Sequence, residues 1–420
     1  MNIIPTSSSS FEDIVNNFIK QGKIRTLEAL GKLLERIDLY LYSKKESFEK
    51  VVKIKERSIQ TTIGMLRFRR RYYFDELERK YRFKLDAFLK IPKRNRLTNT
   101  VKLKIIEAAS EMSYSKAARY ACDDNFPVSK STVCRLIKNT EFYVEDNTNL
   151  IINDSKIHTQ IDEKCIHVLG SKRKRKLYTC TIFKGVTYKG NKRVLQNRTL
   201  ISCNNLKNFF NRINEILYIK YKVSLEDEIY VSGDLARYIQ LSPEKILMCK
   251  ATYVPDKFHI LKGLKDTLGV VANKYDLNDE KYRESTIEAL KNEDNVDARK
   301  IRTLLKRKPD SIKHYLDSAY EGCSQEGMNS HYFSPRFDKV PNIWRFETID
   351  KLSQVICSKE NRSKIKIGWK DKYYDMPYKL ADPMYIDKEY ASTLAELDLP
   401  YEMRKFFVRL MDGRDIIDYV

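Results

Sequence analysis

Ile157-His158-Thr159-Gln160-Ile161-Asp162-Glu163 is the stretch on which the reading of this chain turns. It is a short, apolar, strand-like run that closes on carboxylates. A second such run, Glu228-Ile229-Tyr230-Val231-Ser232-Gly233-Asp234, also ends on one. Between them lie two further strand-like segments, Lys176 to Tyr188 and Arg198 to Cys203, and a helix from Asn205 to Lys222. Beyond Asp234 come a helix near Leu235 to Leu241, a strand from Lys250 to Val254 and a helix from about Lys257. Three consecutive strands followed by alternating helices and strands predict an α/β domain over 151–345. Its mixed sheet is flanked by helices.

That element order is the order of a ribonuclease-H-like core. In such a sheet the first and fourth strands are neighbours, so Asp162 and Asp234 meet despite their separation in sequence. Gly233 lets the backbone approach closely at the strand end, where ligands bind in open sheets. Glu326, in Cys323-Ser324-Gln325-Glu326-Gly327, enters from a later helix. Two carboxylates and a distant third suit two divalent ions about 4 Å apart, which supply an activated oxygen nucleophile and stabilise the leaving oxygen. Hard Mg²⁺ or Mn²⁺ takes such oxygen ligands. Glu163 is an alternative ligand, but strand alternation points it away from Asp162. The competing reading is that these aspartates only end strands and cap helices. Asp256 is a candidate N-cap, with His259 beside it as a residue supporting the site. The five histidines show no HExxH spacing, the eight cysteines no CxxC pair, and no GxxxxGK[ST] loop occurs. Zinc hydrolysis and nucleotide hydrolysis therefore have no support.

The chain has 420 residues, 42% of them hydrophobic, with 79 basic against 57 acidic side chains and a net charge of +22. That excess points to a polyanionic partner, nucleic acid before an anionic membrane, because the basic residues are spread through globular segments. No apolar run is long enough to span a bilayer, and the start lacks the pattern of a secretory signal. Scattered cysteines suit reduced thiols in the cytoplasm.

Upstream, residues 1–60 read as a helical region, with a polar tail and a helix from Phe11 to Lys55. Residues 61–150 hold a basic β segment, Thr61 to Phe74, and a helix-turn-helix. The cluster Arg67, Arg69, Arg70 and Arg71 either follows a phosphate backbone or protects an edge strand. Helices are expected over Asn99 to Met112, Tyr114 to Cys122 and Lys130 to Asn139, the last capped by Ser129. In this last helix Val133, Leu136 and Ile137 face inward, while Lys130, Ser131, Arg135 and Lys138 face outward as candidate DNA contacts. Lys172, Arg173, Lys174 and Arg175 form a basic hairpin tip that either holds DNA near the carboxylates or is simply solvated. A charged helical insertion spans about 276–320. Residues 346–420 are mixed, with a helical end.

At its motifs the chain resembles bacterial insertion-sequence transposases of the DDE class, in particular the ISLre-type group related to Mutator-like transposases. The resemblance is carried by Ile161-Asp162-Glu163 with Ile166-His167-Val168, by Val231-Ser232-Gly233-Asp234, by Asp256-Lys257-Phe258-His259, and by Cys323 to Gly327 with Ser330-His331 and Arg336. It implies a catalytic and metal-binding triad of Asp162, Asp234 and Glu326, with His331 near it. It also implies cleavage and strand transfer at the ends of an element, on double-stranded DNA, by a homodimer or larger assembly at the nucleoid. Leu235 and Tyr238 depart from the glycine and tryptophan common in that group. The rival readings are a non-catalytic helix-turn-helix regulator, which has no need of three convergent carboxylates, and a structure-selective nuclease of the same fold.

Overall fold

The computed structural model describes residues 10–122, 128–142, 156–269, 277–293, 295–314, 320–338, 343–363, 365–369 and 372–376. Of the turn expected over Asp123 to Val128, residues 123–127 lie outside them, as does the helical end of the C-terminal region.

Helix α1 (Phe11–Ser43) opens with a capping box. Ser10 Oγ accepts from the Asp13 N–H, and the Asp13 carboxylate accepts from the Ser10 N–H. Only its second half is anchored, through Leu33, Leu34 and Ile37. There it lies so close to β2 (Gly64–Asp75) that a Cβ on Gly31 would sit 2.6 Å from the Arg67 carbonyl. The helix ends well before Lys55, because β1 (Glu49–Thr61) pairs antiparallel with β2 from Glu49↔Asp75 to Thr61↔Gly64. Val51, Val52 and Ile54 prefer a pleated strand with a partner to continued helix. The boundary expected at residue 60 thus falls near the turn of a hairpin. Strand β3 (Lys80–Arg82) completes the three-stranded sheet, and α2 (Lys84–Phe88) follows.

Three helices come next, α3 (Asn99–Glu111), α4 (Tyr114–Ala121) and α5 (Lys130–Lys138). Thr98, Ser113 and Ser129 cap them, each side chain accepting a backbone N–H three residues on. Val133, Leu136 and Ile137 are buried as expected. Strand β4 (Thr140–Phe142) follows.

The central sheet contains β5 (Ile157–Ile166), β6 (Arg175–Phe183), β9 (Thr199–Cys203), β10 (Glu228–Gly233) and β11 (Lys250–Pro255), in the order β11-β10-β5-β6-β9. Strands β11, β10 and β5 run parallel, and β6 is antiparallel to both of its neighbours. The strand expected over 176–188 is broken at Gly185, whose φ of 118° no β-branched residue adopts readily. Residues beyond it form a separate hairpin, β7 (Val186–Lys189) with β8 (Lys192–Leu195). The result is an α/β fold with a mixed sheet. Helix α6 (Leu206–Ile219) buries Phe209, Phe210, Ile213 and Leu217 in its core.

Short helix α7 (Arg237–Gln240) follows β10, and α8 (Lys257–Leu268) follows β11. The expected insertion contains α9 (Glu280–Ala289), α10 (Val296–Arg307) and α11 (Asp310–Lys313). Helix α10 packs back on α8, where a Cβ on Gly263 would meet Ile301 at 2.7 Å. Then come α12 (Gln325–Met328), one π-helical turn (Asn329–Phe333) and α13 (Ser334–Phe337). Helix α14 (Phe346–Asn361) packs against β9, α3 and α5. Strand β12 (Ile365–Trp369) pairs with β4 on one side and with β13 (Lys372–Met376) on the other.

Candidate active site

Asp162 and Asp234 are brought together by strand register. In the parallel β5–β10 pair Gly233 lies opposite Ile161, so each aspartate is the next residue along its strand. Gly233 is required by space rather than by backbone angle. A Cβ there would lie 2.4 Å from the Ile161 carbonyl oxygen and 2.8 Å from Ile239. Both aspartates line a cleft of about 330 Å³, with Asp256, His259, Cys323 and Glu326 among the other walls. The three carboxylates singled out in the sequence therefore share one cavity.

Each is held differently. Asp162 Oδ1 accepts from the Glu163 N–H at 2.7 Å, and Oδ2 accepts from Asn329 Nδ2 at 2.8 Å. Burial pushes the Asp162 carboxyl up to about 6; the Glu163 N–H pulls it down, the charge of Asp234 raises it, and Asn329 lowers it again. Asp234 Oδ1 accepts from the Ala236 N–H at 2.8 Å, while its carbonyl accepts from the Tyr253 hydroxyl at 2.9 Å. Glu326 is solvent-exposed on the first turn of α12. Glu163 turns away and pairs with Lys176 at 2.6 Å, as strand alternation requires.

Asp256 caps α8, its Oδ1 accepting from the Phe258 N–H at 3.1 Å, and its own N–H donates to the Gly233 carbonyl at 2.8 Å. Its Oδ2 lies 2.6 Å from His259 Nδ1, and this bond, against the opposing effect of burial, raises the His259 pKa above its usual value. The pair thus borders the cleft as expected. His331 does not. It is exposed, edge-on to Tyr332, and absent from the cleft wall. The helical rotation between the two residues turns His331 out and brings Asn329 in, so Asn329 is the residue that reaches Asp162.

Three supports, Gln160, Gln325 and Thr179, were not singled out in the sequence. Gln160 is wholly buried. Its Nε2 donates to the Gly322 carbonyl at 2.6 Å, and its Oε1 accepts from the Ser324 N–H at 2.9 Å and hydroxyl at 3.0 Å. Gln325 Nε2 donates to Thr179 Oγ1 at 3.2 Å, and Thr179 donates to the Asp162 carbonyl at 3.1 Å. Together these bonds lash the Glu326 segment to β5 and β6. A buried polar residue two positions before Asp162, on the same strand face, was the available signal for Gln160.

The basic candidates separate into two groups. Lys130, Ser131 and Arg135 are exposed on α5, as are Lys172, Arg173, Lys174 and Arg175 around the β5–β6 turn. Lys138, next to them, pairs with Glu347 at 3.0 Å. Arg67 and Arg69 are exposed on β2. Arg70 is not available as a phosphate contact. Pleating carries it inward with Leu66 and Phe68, where it shares Asp86 with Arg57 and covers the Phe83 ring at 3.5 Å. Arg71 is committed to Asp38 at 2.6 Å.

The donor set of the cleft is carboxylate oxygen, which fits a hard divalent cation in chemistry. The like charge of Asp234 and the burial of Asp162 are relieved by a cation. Among the described residues, no three His, Cys, Asp or Glu side chains converge as a ready-made metal cluster. No helix among the described residues is long and apolar enough to cross a membrane.

Residues 6–372 match the family described as "Uncharacterised protein family (UPF0236)". Among curated relatives, a UPF0236 protein of Caldanaerobacter subterraneus subsp. tengcongensis, whose name joins eleven gene designations, is 27% identical over 86% of this chain and 82% of its own length. A second from the same bacterium is 26% identical over 81% of this chain and 77% of its own length. A third, whose name joins four designations, is 26% identical over 81% and 76% respectively. The family thus has many paralogues in one bacterium, and this chain, matched over most of its length, belongs to the UPF0236 family.

Proposed function

We propose that this protein is a transposase of a bacterial insertion sequence, cutting and joining DNA strands at a DDE site of Asp162, Asp234 and Glu326. The observation that carries the reading is the pairing of Gly233 with Ile161, which sets two aspartates side by side where the parallel pairing of β5 and β10 ends. Glu326 shares their cleft. The strand order, numbered within the sheet as 5-4-1-2-3, supports a ribonuclease-H-like core. The many paralogues in one genome support a mobile element. The basic excess and the exposed basic face of α5 support a helix-turn-helix that binds element ends.

In this reading Asp162, Asp234 and Glu326 would hold two Mg²⁺ or Mn²⁺ ions. When bound, these supply charge neutralisation at the phosphate and an activated oxygen. The chain's own residues do the rest. Asn329 and the Glu163 N–H fix the Asp162 carboxylate. Gln160 holds the segment that carries Glu326. Asp256 orients His259 at the rim, where its imidazole is placed to exchange a proton with an attacking or departing oxygen. Water serves as nucleophile for cleavage, displacing the 3′ oxygen of the cut strand, and that freed 3′-hydroxyl attacks a target phosphodiester for joining, displacing the 3′ oxygen of the target strand. Lys172 to Arg175 supply charge for the DNA backbone.

The test uses purified protein, labelled duplex from the DNA flanking the gene, and Mg²⁺ or Mn²⁺, with Asp234→Asn in parallel. Metal-dependent nicking at a defined end, lost in the variant, is the expected result. Tight, specific binding without a cut refutes the enzyme and leaves a DNA-binding regulator. Cutting of branched DNA without joining identifies a structure-selective nuclease.

A further inference from the structure

Arg336 is a buried guanidinium, 3% exposed, on a strongly basic protein. Its surroundings are unusual for arginine, which is rarely fully buried unless paired with an acid. Its Nε donates to the Ala109 carbonyl at 2.8 Å, in the last turn of α3. Its guanidinium lies over the Trp344 ring at 4.3 Å and faces the Tyr114 ring, at the start of α4, at 5.9 Å. Burial lowers its pKa to about 10.

Three elements meet at this side chain. Ala109 and Tyr114 belong to α3 and α4, which pack with α5. Trp344 accepts from the Leu169 N–H at 2.7 Å and donates to the His167 carbonyl at 3.1 Å, at the root of the basic β5–β6 turn. Arg336 itself sits in α13, continuous through the π-turn that holds Asn329 with the helix that carries Glu326. A π-turn inside a helix is a place where register can shift, and such turns gather at functional sites. Lys164, on β5 beyond Asp162, clasps the same helix by donating to Ser334 Oγ at 2.8 Å and pairing with Asp338 at 2.7 Å.

We propose that Arg336 is a positioning residue, the strut through which the α3–α5 unit sets the placement of Asn329 and Glu326 in the cleft. The proposal rests on the reading of that cleft as a DNA-processing site. A planar cation suits the task, since it donates to one carbonyl while lying over the Trp344 ring and near the Tyr114 ring. Occupation of α5 by DNA then bears on the carboxylates through the α3–α4 corner, Arg336 and the π-turn.

The experiment compares full-length wild type, Arg336→Met, Arg336→Lys and Asn329→Ala, using flanking-end duplex as the probe. Amide hydrogen exchange is followed over residues 325–333, and duplex affinity, kcat and KM are measured for cleavage. Arg336→Met is expected to bind duplex within twofold of wild type, to lose at least tenfold in kcat with KM unchanged, and to exchange faster over 325–333 while β10 is unchanged. Arg336→Lys keeps the charge without the plane and stays slow. Adding Asn329→Ala to Arg336→Met brings little further loss, because Arg336 acts through the placement of Asn329 on Asp162. Wild-type kcat and exchange in Arg336→Met overturn the proposal, and so do losses that multiply in the double variant. If Arg336→Met fails to fold, Tyr114→Leu removes one face of the clamp and makes the same test. Should wild type cut no DNA, the reading of the cleft fails by itself. Exchange over 325–333 in free Arg336→Met then decides the strut: faster upholds it, unchanged overturns it.

Discussion

Asn329 donates from Nδ2 to Oδ2 of Asp162 at 2.8 Å, joining residues 167 apart in sequence. This bond fixes the carboxylate from the side of the helix that carries Glu326. Bonds to a charged group contribute about 1.5–3 kcal/mol. Asn329→Ala should therefore slow metal-dependent cleavage roughly 10- to 100-fold. Asn329→Asp, which sets a like charge against Asp162, should do worse. Single-turnover rates on labelled duplex check both, and a wild-type rate in Asn329→Ala would remove this contact from the site.

Asp234→Asn keeps the acceptor for the Ala236 N–H but loses the charge. Cleavage should vanish while duplex affinity holds, and chelation of the divalent ion should mimic the variant. Equal cutting by Asp234→Asn would sink the triad.

Gly233→Ala tests the packing of the same strand pair. The new methyl would lie 2.4 Å from the Ile161 carbonyl, which belongs to backbone and cannot swing aside. A loss of about 1–3 kcal/mol is expected from such overpacking, read by denaturant titration. Unchanged stability would mean that β5 and β10 can separate freely.

Glu49 predicts a pH dependence away from the cleft. Burial raises its pKa, but the Lys84 ammonium, the Glu46 N–H and Arg82 outweigh that and bring it from 4.5 to about 2. A carboxyl depressed on folding stabilises fully above its unfolded value, and the contribution fades as pH falls from there through the folded value. Glu49→Gln should thus melt below wild type at neutral pH, with the gap closing between about pH 4.5 and pH 2. A gap constant over that range would contradict the assignment.

Arg135 and Arg70 should separate binding from stability. Arg135→Ala, on the exposed face of α5, should weaken duplex binding and lower the salt slope by about 1. Arg70→Ala should lower stability, since it takes from buried Asp86 one of its two guanidinium partners. Salt-series titrations beside thermal melts distinguish the two.

The strands of the central sheet were legible because their residues are β-branched and bounded by turn chemistry, and the helix cap at Ser129 because it obeys a local rule. The meeting of Asp162 with Asp234 followed from strand order, a topological inference rather than a local one. What failed is instructive. Helix α1 was read too long because alternation of apolar and charged residues in Glu49 to Thr61 competes with helical spacing, and the strand β2 decides the contest. Arg70 was grouped with its neighbours by charge, although pleating separates it from Arg69. Asn329 was overlooked in favour of His331 because a π-turn alters the angular step on which facing residues are judged. Gln160 could be suspected but not assigned, since its partners lie far downstream.

The short pairing of β4 with β12 joins Thr140 to Ile367, so chain from beyond the central sheet returns to finish the edge of the α3–α5 region. A segment built this way is no interchangeable cartridge. Transplanting residues 99–142 into another scaffold would strand Ile365 and Ile367, both buried, without their cover. Under the DNA-binding function proposed above, new specificity is therefore expected to arise by substitutions on the outer face of α5, and not by exchange of whole modules.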